Sequence, residues 1–145
     1  MPKPYASGVV PASADEVWQI VRQFNGLAEW HPVIAESKIE SGSAQEIGAV
    51  RRLTLADGSQ VAERLVSMDD DERSYTYAFT DPGTMPVRSY KSTIRIAPVT
   101  ATGQSFVEWW AWFDSEAEVE AEMNQTYSET VYGNGIAALI SHFGG

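Results

Sequence analysis

Residues 104–143 read QSFVEWWAWFDSEAEVEAEMNQTYSETVYGNGIAALISHF, and their hydrophobic period changes once. Gln104 to Phe113 has the aromatic-rich composition of a strand, whereas the apolar residues after Asp114-Ser115 recur at helical spacing. The stripe of that helix comprises Met123, Tyr127, Val131, Gly135, Ile136, Leu139, Ile140 and Phe143. A long strand followed by a long amphipathic helix decides the fold, because the helix has to bury its stripe against a sheet.

The residues before this stretch predict five further strands in a row. The pair Asp57-Gly58 is typical of a tight hairpin, and Asp81-Pro82-Gly83 of another turn. These five strands are Val33–Glu40, Ala49–Leu55, Gln60–Met68, Ser74–Thr80 and Val87–Ile96. With Gln104–Phe113 they make six successive strands, and short turns connect such strands as an antiparallel meander.

The first thirty residues predict one more strand and two short helices. Tyr5–Pro11 is the strand, and Ser13 with Glu16 forms a capping box that begins the first helix. Leu27–Trp30 is a second helical turn, which His31-Pro32 ends. We therefore expect an α+β protein in which a seven-stranded antiparallel sheet wraps around a long C-terminal helix, with two short helices after the first strand.

Composition excludes several classes of function. The chain has 145 residues, a net charge of −10 and no cysteine, and its only histidines are His31 and His142. The acidic balance argues against nucleic acid and against an anionic membrane surface. The missing cysteines exclude disulfides and thiol chemistry, and nothing pairs the two histidines for a metal. We expect a soluble, cytoplasmic protein without membrane insertion, metal or cofactor.

Four segments carry a resemblance to a known superfamily: VWQIVRQF (residues 17–24), WHP (30–32), ERL (63–65) and VRSYKS (87–92). In this order they resemble the START-like, helix-grip superfamily (SRPBCC). Within it, the sequence is similar to polyketide cyclase/dehydrase and lipid-transport proteins and to the plant abscisic-acid receptors. The resemblance implies one ligand-binding domain over residues 1–145, with an apolar cavity between the sheet and the last helix.

The sequence departs from the abscisic-acid receptors at two places. Ala56–Ser59 is shorter than the receptors' corresponding closing loop, and Trp30 stands where the receptors have a ligand-binding lysine. Both departures argue against abscisic-acid sensing. Met85-Pro86-Val87 falls where the receptors have their other closing loop.

The resemblance and the strand alternation together define a set of candidate cavity residues. The candidate ligand-binding residues are Arg51, Leu53, Leu55, Glu63, Tyr77, Met85, Val87, Tyr90, Ser92, Glu108, Trp110, Met123, Tyr127, Val131 and Gly135. In the last strand, an inward Glu108 brings Trp110 with it and turns Trp109 and Phe113 outward. Those outward rings are a candidate homodimer patch. Both faces of this strand are apolar, so polarity does not decide its orientation.

The strand from Ser74 leaves two orientations open. Its alternation places Tyr75, Tyr77 and Phe79 in the cavity, whereas alignment to the receptors places Thr76 and Ala78 there. Burial of three aromatic rings favours the first orientation.

The candidate catalytic residues are Glu63, Glu108, Tyr90 and His31. Glu63 and Glu108 suggest a carboxylate pair with one raised pKa, or two carboxylates that each bind an arginine such as Arg51. His31 suggests a general base, or a residue that caps the second helix or forms a hydrogen bond at the cavity edge.

The pair Gly133 and Gly135 suggests either a loosely packed or kinked last helix or a cavity widened by missing side chains.

Three functions follow from the sequence. The first is binding of a small hydrophobic molecule of the polyketide, lipid, sterol or aromatic type. The second is a polyketide cyclase or dehydratase that uses the same pocket, and the third is an accessory protein-interaction domain.

Overall fold

The strands from residue 34 onward pair in sequence order, as the predicted meander requires. In the computed structural model, which describes residues 3–145, the strands are β1 (Tyr5–Val10), β2 (Ile34–Ser41), β3 (Val50–Leu55), β4 (Gln60–Asp69), β5 (Ser74–Asp81), β6 (Ser89–Val99) and β7 (Gln104–Asp114). They form one seven-stranded antiparallel sheet of order β1-β7-β6-β5-β4-β3-β2. Each differs from its predicted bounds by one to three residues at an end, and Val87 lies in the loop before β6.

Two short helices follow β1, as predicted. Helix α1 (Ala14–Val21) begins at the capping box, in which the Ser13 hydroxyl accepts a hydrogen bond from the Glu16 backbone N–H. A single 3₁₀ turn (Phe24–Gly26) leads into α2 (Leu27–Trp30). These elements cover one side of the sheet and bury Val17, Trp18 and Phe24.

The final helix runs through three consecutive segments, which are α3 (Ala117–Gln125), a π-helical segment (Thr126–Gly133) and α4 (Asn134–His142). The curved sheet grips this helix, whose buried residues include Met123, Tyr127, Ile136 and Leu139. Tyr132 is also fully buried, although the predicted stripe omits it. The wider turns of the π segment change which residues face the sheet. No helix within residues 3–145 is long and apolar enough to cross a membrane.

The orientation of β5 agrees with the aromatic alternation rather than with the alignment to the receptors. Tyr75 and Tyr77 are buried, and the Phe79 ring stacks on Tyr90 with their centroids 4.2 Å apart. The rings lie on the inner face because that face alone is covered by the helices. The prediction of inward aromatics in this strand is confirmed.

The orientation predicted for β7 is wrong. Trp109, Ala111 and Phe113 are fully buried, whereas Glu108 and Trp110 lie on the outer face of the sheet. The register with β6 sets this orientation, since directly opposite residues share a face and Phe113 stands opposite the inward Tyr90. Trp109 and Phe113 therefore belong to the core and cannot form the predicted dimer patch.

Gly135 marks the closest approach of the final helix to its neighbours. A Cβ atom built at Gly135 would lie 2.7 Å from His31 Cδ2 and 2.8 Å from Trp109 Cζ3. The missing side chain lets these two rings pack against the helix backbone. Gly135 does not line the cavity described below, so the interpretation of a cavity widened at this residue is not supported.

Gly135→Ala is expected to lower the free energy of unfolding by about 1–3 kcal/mol, because two packed rings would have to move. The matched control is Gly133→Ala, two residues away, where a Cβ would contact only the Ser128 carbonyl oxygen, at 3.1 Å. Alanine's higher helix propensity offsets that contact. Urea denaturation of both variants measures the difference, and equal destabilisation would contradict this account of Gly135.

Candidate functional site

A cavity of about 350 Å³ lies between the inner face of the sheet and the final helix. This volume falls in the range of small-molecule sites, about 300–1,000 Å³, and its walls are mostly apolar. Eight of the predicted ligand-binding residues line it: Leu53, Leu55, Glu63, Tyr77, Met85, Tyr90, Tyr127 and Val131. The exposed Ala56, Asp57 and Thr130 lie at its opening, between the β3–β4 hairpin and the final helix.

The other predicted residues do not line the cavity. Five are buried behind or beside its walls, namely Arg51, Val87, Ser92, Met123 and Gly135. Glu108 and Trp110 lie on the outer face of the sheet, where the Tyr5 hydroxyl donates to Glu108 Oε2 at 2.7 Å and Lys3 lies 5.8 Å from the Trp110 ring centre. The predicted pair of Glu63 and Glu108 is therefore not formed, because the two carboxylates lie on opposite faces.

Ten lining residues were not among the sequence candidates. They are Leu27, Val33, Ile34, Ala56, Asp57, Val61, Phe79, Trp109, Thr126 and Thr130. The alternation of β4 and β5 already placed Val61 and Phe79 on the inner face, so both could have been predicted from the sequence. Trp109 was missed with the orientation of β7. Leu27, Val33 and Ile34 lie in or between α2 and β2, where the sequence has no periodic pattern that indicates a cavity.

The polar end of the cavity is Glu63, which belongs to a buried ion pair with Arg51. Arg51 on β3 stands directly opposite Glu63 on β4, and Arg51 Nε donates to Glu63 Oε1 at 2.9 Å. The Arg51 Nη1 group donates to the Phe24 carbonyl oxygen at 2.5 Å, and the guanidinium lies 4.1 Å from the Phe24 ring centre. Burial raises the pKa of Glu63, and the charge of Arg51 opposes that rise. The sequence left two interpretations of Glu63, a catalytic carboxylate or a carboxylate that binds an arginine. Its contacts match the second.

Three tyrosines and a tryptophan connect the sheet to the final helix, and all of them except Tyr132 also line the cavity. The hydroxyls of Tyr90 and Tyr132 share a hydrogen bond, and the Tyr77 hydroxyl lies 3.5 Å from that of Tyr90. Trp109 Nε1 donates to the hydroxyls of Tyr77 and Ser92, each at 3.1 Å. Burial raises the pKa of all three tyrosines above the ordinary value, so their hydroxyls stay protonated at neutral pH.

His31 is buried against the final helix and uses both ring nitrogens. Its Nε2–H donates to the Val131 carbonyl oxygen at 2.6 Å, and its Nδ1 accepts from the Val33 backbone N–H at 3.1 Å. Burial lowers the pKa of His31, and this outweighs the opposing hydrogen bond to Val131. The neutral ring therefore holds α2 to the π segment, and neither nitrogen is free to accept a proton from a substrate.

The sheet order, the two short helices and the gripped final helix define a helix-grip protein with an internal cavity. The family profile described as polyketide cyclase / dehydrase and lipid transport matches residues 1–144. The chain belongs to this family, which is of the SRPBCC type. None of the curated proteins compared with the chain matches it significantly.

Solved structures agree with this assignment. The protein XoxI from Bacillus cereus is 34% identical, with a TM-score of 0.87 over 99% of this chain and 96% of that one. A protein from Bacillus thuringiensis is 33% identical, with a TM-score of 0.84 over 97% and 98% of the two chains. Ginseng major latex-like protein 151 from Panax ginseng, at 14% identity and a TM-score of 0.80 over 99% and 97%, shares the fold.

Arg51→Met is expected to destabilise the protein by about 3–5 kcal/mol, because it leaves the Glu63 carboxylate buried without its partner. The matched control is Arg52→Met on the same strand. Arg52 pairs with Glu40 and Asp81 on the solvent side, so its loss should have a much smaller effect. Urea denaturation measures both variants, and an equal loss would show that the buried pair has no special role.

Acidification is expected to destabilise the protein through His31. Its pKa is lowered in the folded chain, so the unfolded chain binds more protons between that lowered pKa and about 6.5. Stability should therefore fall as the pH drops below about 6.5, by at most about 1.4 kcal/mol per pH unit for one proton. Urea denaturation between pH 7 and pH 5 should show a flatter profile for His31→Gln, with His142→Gln as control. An unchanged profile in His31→Gln would refute this assignment.

Proposed function

We propose that this chain binds a small, largely apolar molecule in the cavity between the sheet and the final helix. The observation that carries the proposal is the cavity itself, about 350 Å³ of space walled by aliphatic and aromatic side chains and opening beside the β3–β4 hairpin. Membership in a family named for polyketide chemistry and lipid transport supports the same class of ligand. Polyketide, sterol, lipid-like and aromatic molecules have the required character.

The hydrophobic effect supplies enough free energy for such binding. Burial of about 300 Å² of apolar ligand surface is worth roughly 7 kcal/mol before the entropic costs of association. The polar groups of Trp109, Tyr77 and Ser92 satisfy one another. A ligand that enters the cavity therefore covers apolar surface without breaking these hydrogen bonds.

The hydrogen bonding favours binding over acid–base catalysis by the predicted groups. Glu63 is held by Arg51, Tyr90 is bonded to Tyr132, and His31 uses both nitrogens. A general acid or base needs a proton that it can exchange with the substrate. Glu108 lies on the outer face of the sheet, where it accepts a hydrogen bond from Tyr5, so it does not reach the cavity.

The purified protein is expected to bind the neutral probe N-phenyl-1-naphthylamine, with a rise in probe fluorescence on transfer to the apolar cavity. Val131→Trp should reduce this binding at least about tenfold, because the larger side chain occupies cavity space next to the opening. The matched control is Gln125→Trp, on an exposed position of the same final helix. Fluorescence titration measures the three affinities, and circular dichroism checks the fold of each variant.

Two results would contradict the proposal. The first is an absence of saturable probe binding by the folded wild-type chain. The second is equal binding by wild type and Val131→Trp, which would place the probe outside the cavity. Native mass spectrometry of the purified protein gives an independent measurement, since a co-purified small molecule adds a defined mass to the chain.

A further inference from the structure

Glu63 offers the cavity one unused hydrogen-bond acceptor. Both contacts to Arg51 fall on Oε1, from Nε at 2.9 Å and from Nη2 at 2.8 Å. Within residues 3–145, no donor reaches Oε2. The side chain lines the cavity and keeps 6% of its surface exposed. Because a carboxylate oxygen only accepts hydrogen bonds, this end of the cavity requires a donor from the ligand.

Tyr127 offers an unused hydroxyl at the same cavity. The side chain is 1% exposed and lines the cavity, and its hydroxyl has no hydrogen-bond partner within residues 3–145. The neighbouring buried hydroxyls of Tyr77, Tyr90 and Tyr132 all have partners. An unpaired buried hydroxyl costs about 1–3 kcal/mol, so packing alone would favour phenylalanine at this position.

A continuous row of side chains connects the two unused groups. Glu63 stands opposite Phe79 in the sheet, Phe79 stacks on Tyr90 at 4.2 Å, and the Tyr90 ring lies 4.6 Å from that of Tyr127. Glu63 and Tyr127 thus approach one cavity from the sheet and from the final helix. The charge of Glu63 contributes to a raised pKa of Tyr127, after the larger effect of burial.

We propose that the ligand is an alcohol or a phenol, whose hydroxyl donates to Glu63 Oε2 while Tyr127 donates to an oxygen of the ligand. The proposal rests on the function proposed above and names the class of molecule that the cavity takes. A hydroxyl is both donor and acceptor, so it matches an acceptor-only carboxylate and a tyrosine together. A wholly apolar molecule would leave both groups unpaired.

The same geometry disfavours a carboxylate ligand. In the described part of the chain, the guanidinium that contacts Glu63 is that of Arg51, which is fully buried and does not line the cavity. An anionic ligand would therefore meet the negative Glu63 before it met a positive charge. Such a like-charge contact at low dielectric is unfavourable.

The test uses three molecules of nearly equal shape, namely 2-naphthol, 2-methylnaphthalene and 2-naphthoate. Isothermal titration calorimetry with the wild-type chain should show 2-naphthol binding at least about tenfold more tightly than 2-methylnaphthalene, as expected for a hydrogen bond to a charged group. The 2-naphthoate ion should bind more weakly than either.

Two pairs of variants locate the effect. Tyr127→Phe should reduce the preference for 2-naphthol over 2-methylnaphthalene by about fivefold, without lowering the melting temperature of the chain. Tyr5→Phe on the outer face is its control. Glu63→Gln should reduce the preference further and improve binding of 2-naphthoate, with Glu108→Gln as control. Tyr127→Phe keeps the test informative if Glu63→Gln does not fold.

The outcomes separate this proposal from the function proposed above. Equal binding of 2-naphthol and 2-methylnaphthalene would overturn the hydroxyl assignment and leave apolar binding intact. Tightest binding of 2-naphthoate would also overturn it. If Tyr127→Phe keeps the full preference for 2-naphthol over 2-methylnaphthalene, Tyr127 does not contact the ligand hydroxyl and its part in the proposal is wrong. If none of the three molecules and no N-phenyl-1-naphthylamine binds, the cavity is not a binding site and both proposals fail.

Discussion

The buried contact between Arg51 and Glu63 links the sheet, the turn between the short helices and the polar end of the cavity. A guanidinium keeps its charge at every ordinary pH, and a fully buried one is tolerated only with an opposite charge and acceptors around it. Adjacent strands place the two residues directly opposite each other, so the pair forms within the sheet itself. The Phe24 carbonyl oxygen accepts a further hydrogen bond from Arg51, which fixes the turn between the short helices to the sheet.

This arrangement also explains why the cavity has a polar end and apolar walls. Several other buried polar groups do have partners. Tyr77, Tyr90, Tyr132 and Trp109 bond within one cluster, and His31 bonds to the Val131 carbonyl oxygen. Pairing inside the wall removes the cost of burying these groups and leaves aromatic faces toward the cavity. The His31 bond to Val131 and the close packing at Gly135 hold the final helix over the sheet, so the cavity has two fixed sides.

Much of the fold was predictable from local signals. The capping box at Ser13, the Asp57-Gly58 hairpin and the aromatic alternation of β5 each act over a few residues, and each appears where the sequence placed it. The π segment was not predictable, because its widened turns have no fixed residue pattern. Tyr132 was missed for that reason. A glycine inside a helix is itself unusual, so Gly135 could be singled out from the sequence. The reason for it, contact with two rings distant in sequence, is visible only in the folded chain.

The candidate site was harder to predict than the fold, because strand orientation decides which side chains reach the cavity. In β4 the polar Arg64 and the apolar Leu65 fix the faces, and Glu63 was placed correctly on the inner face. In β7 both faces are apolar, so only the register with β6 determines that Trp109 faces inward and Glu108 outward. A shift of one residue exchanges every side chain between the two faces. Two glutamates that a resemblance assigns to one pocket therefore end with different roles, one beside the cavity and one on the outer surface with Tyr5.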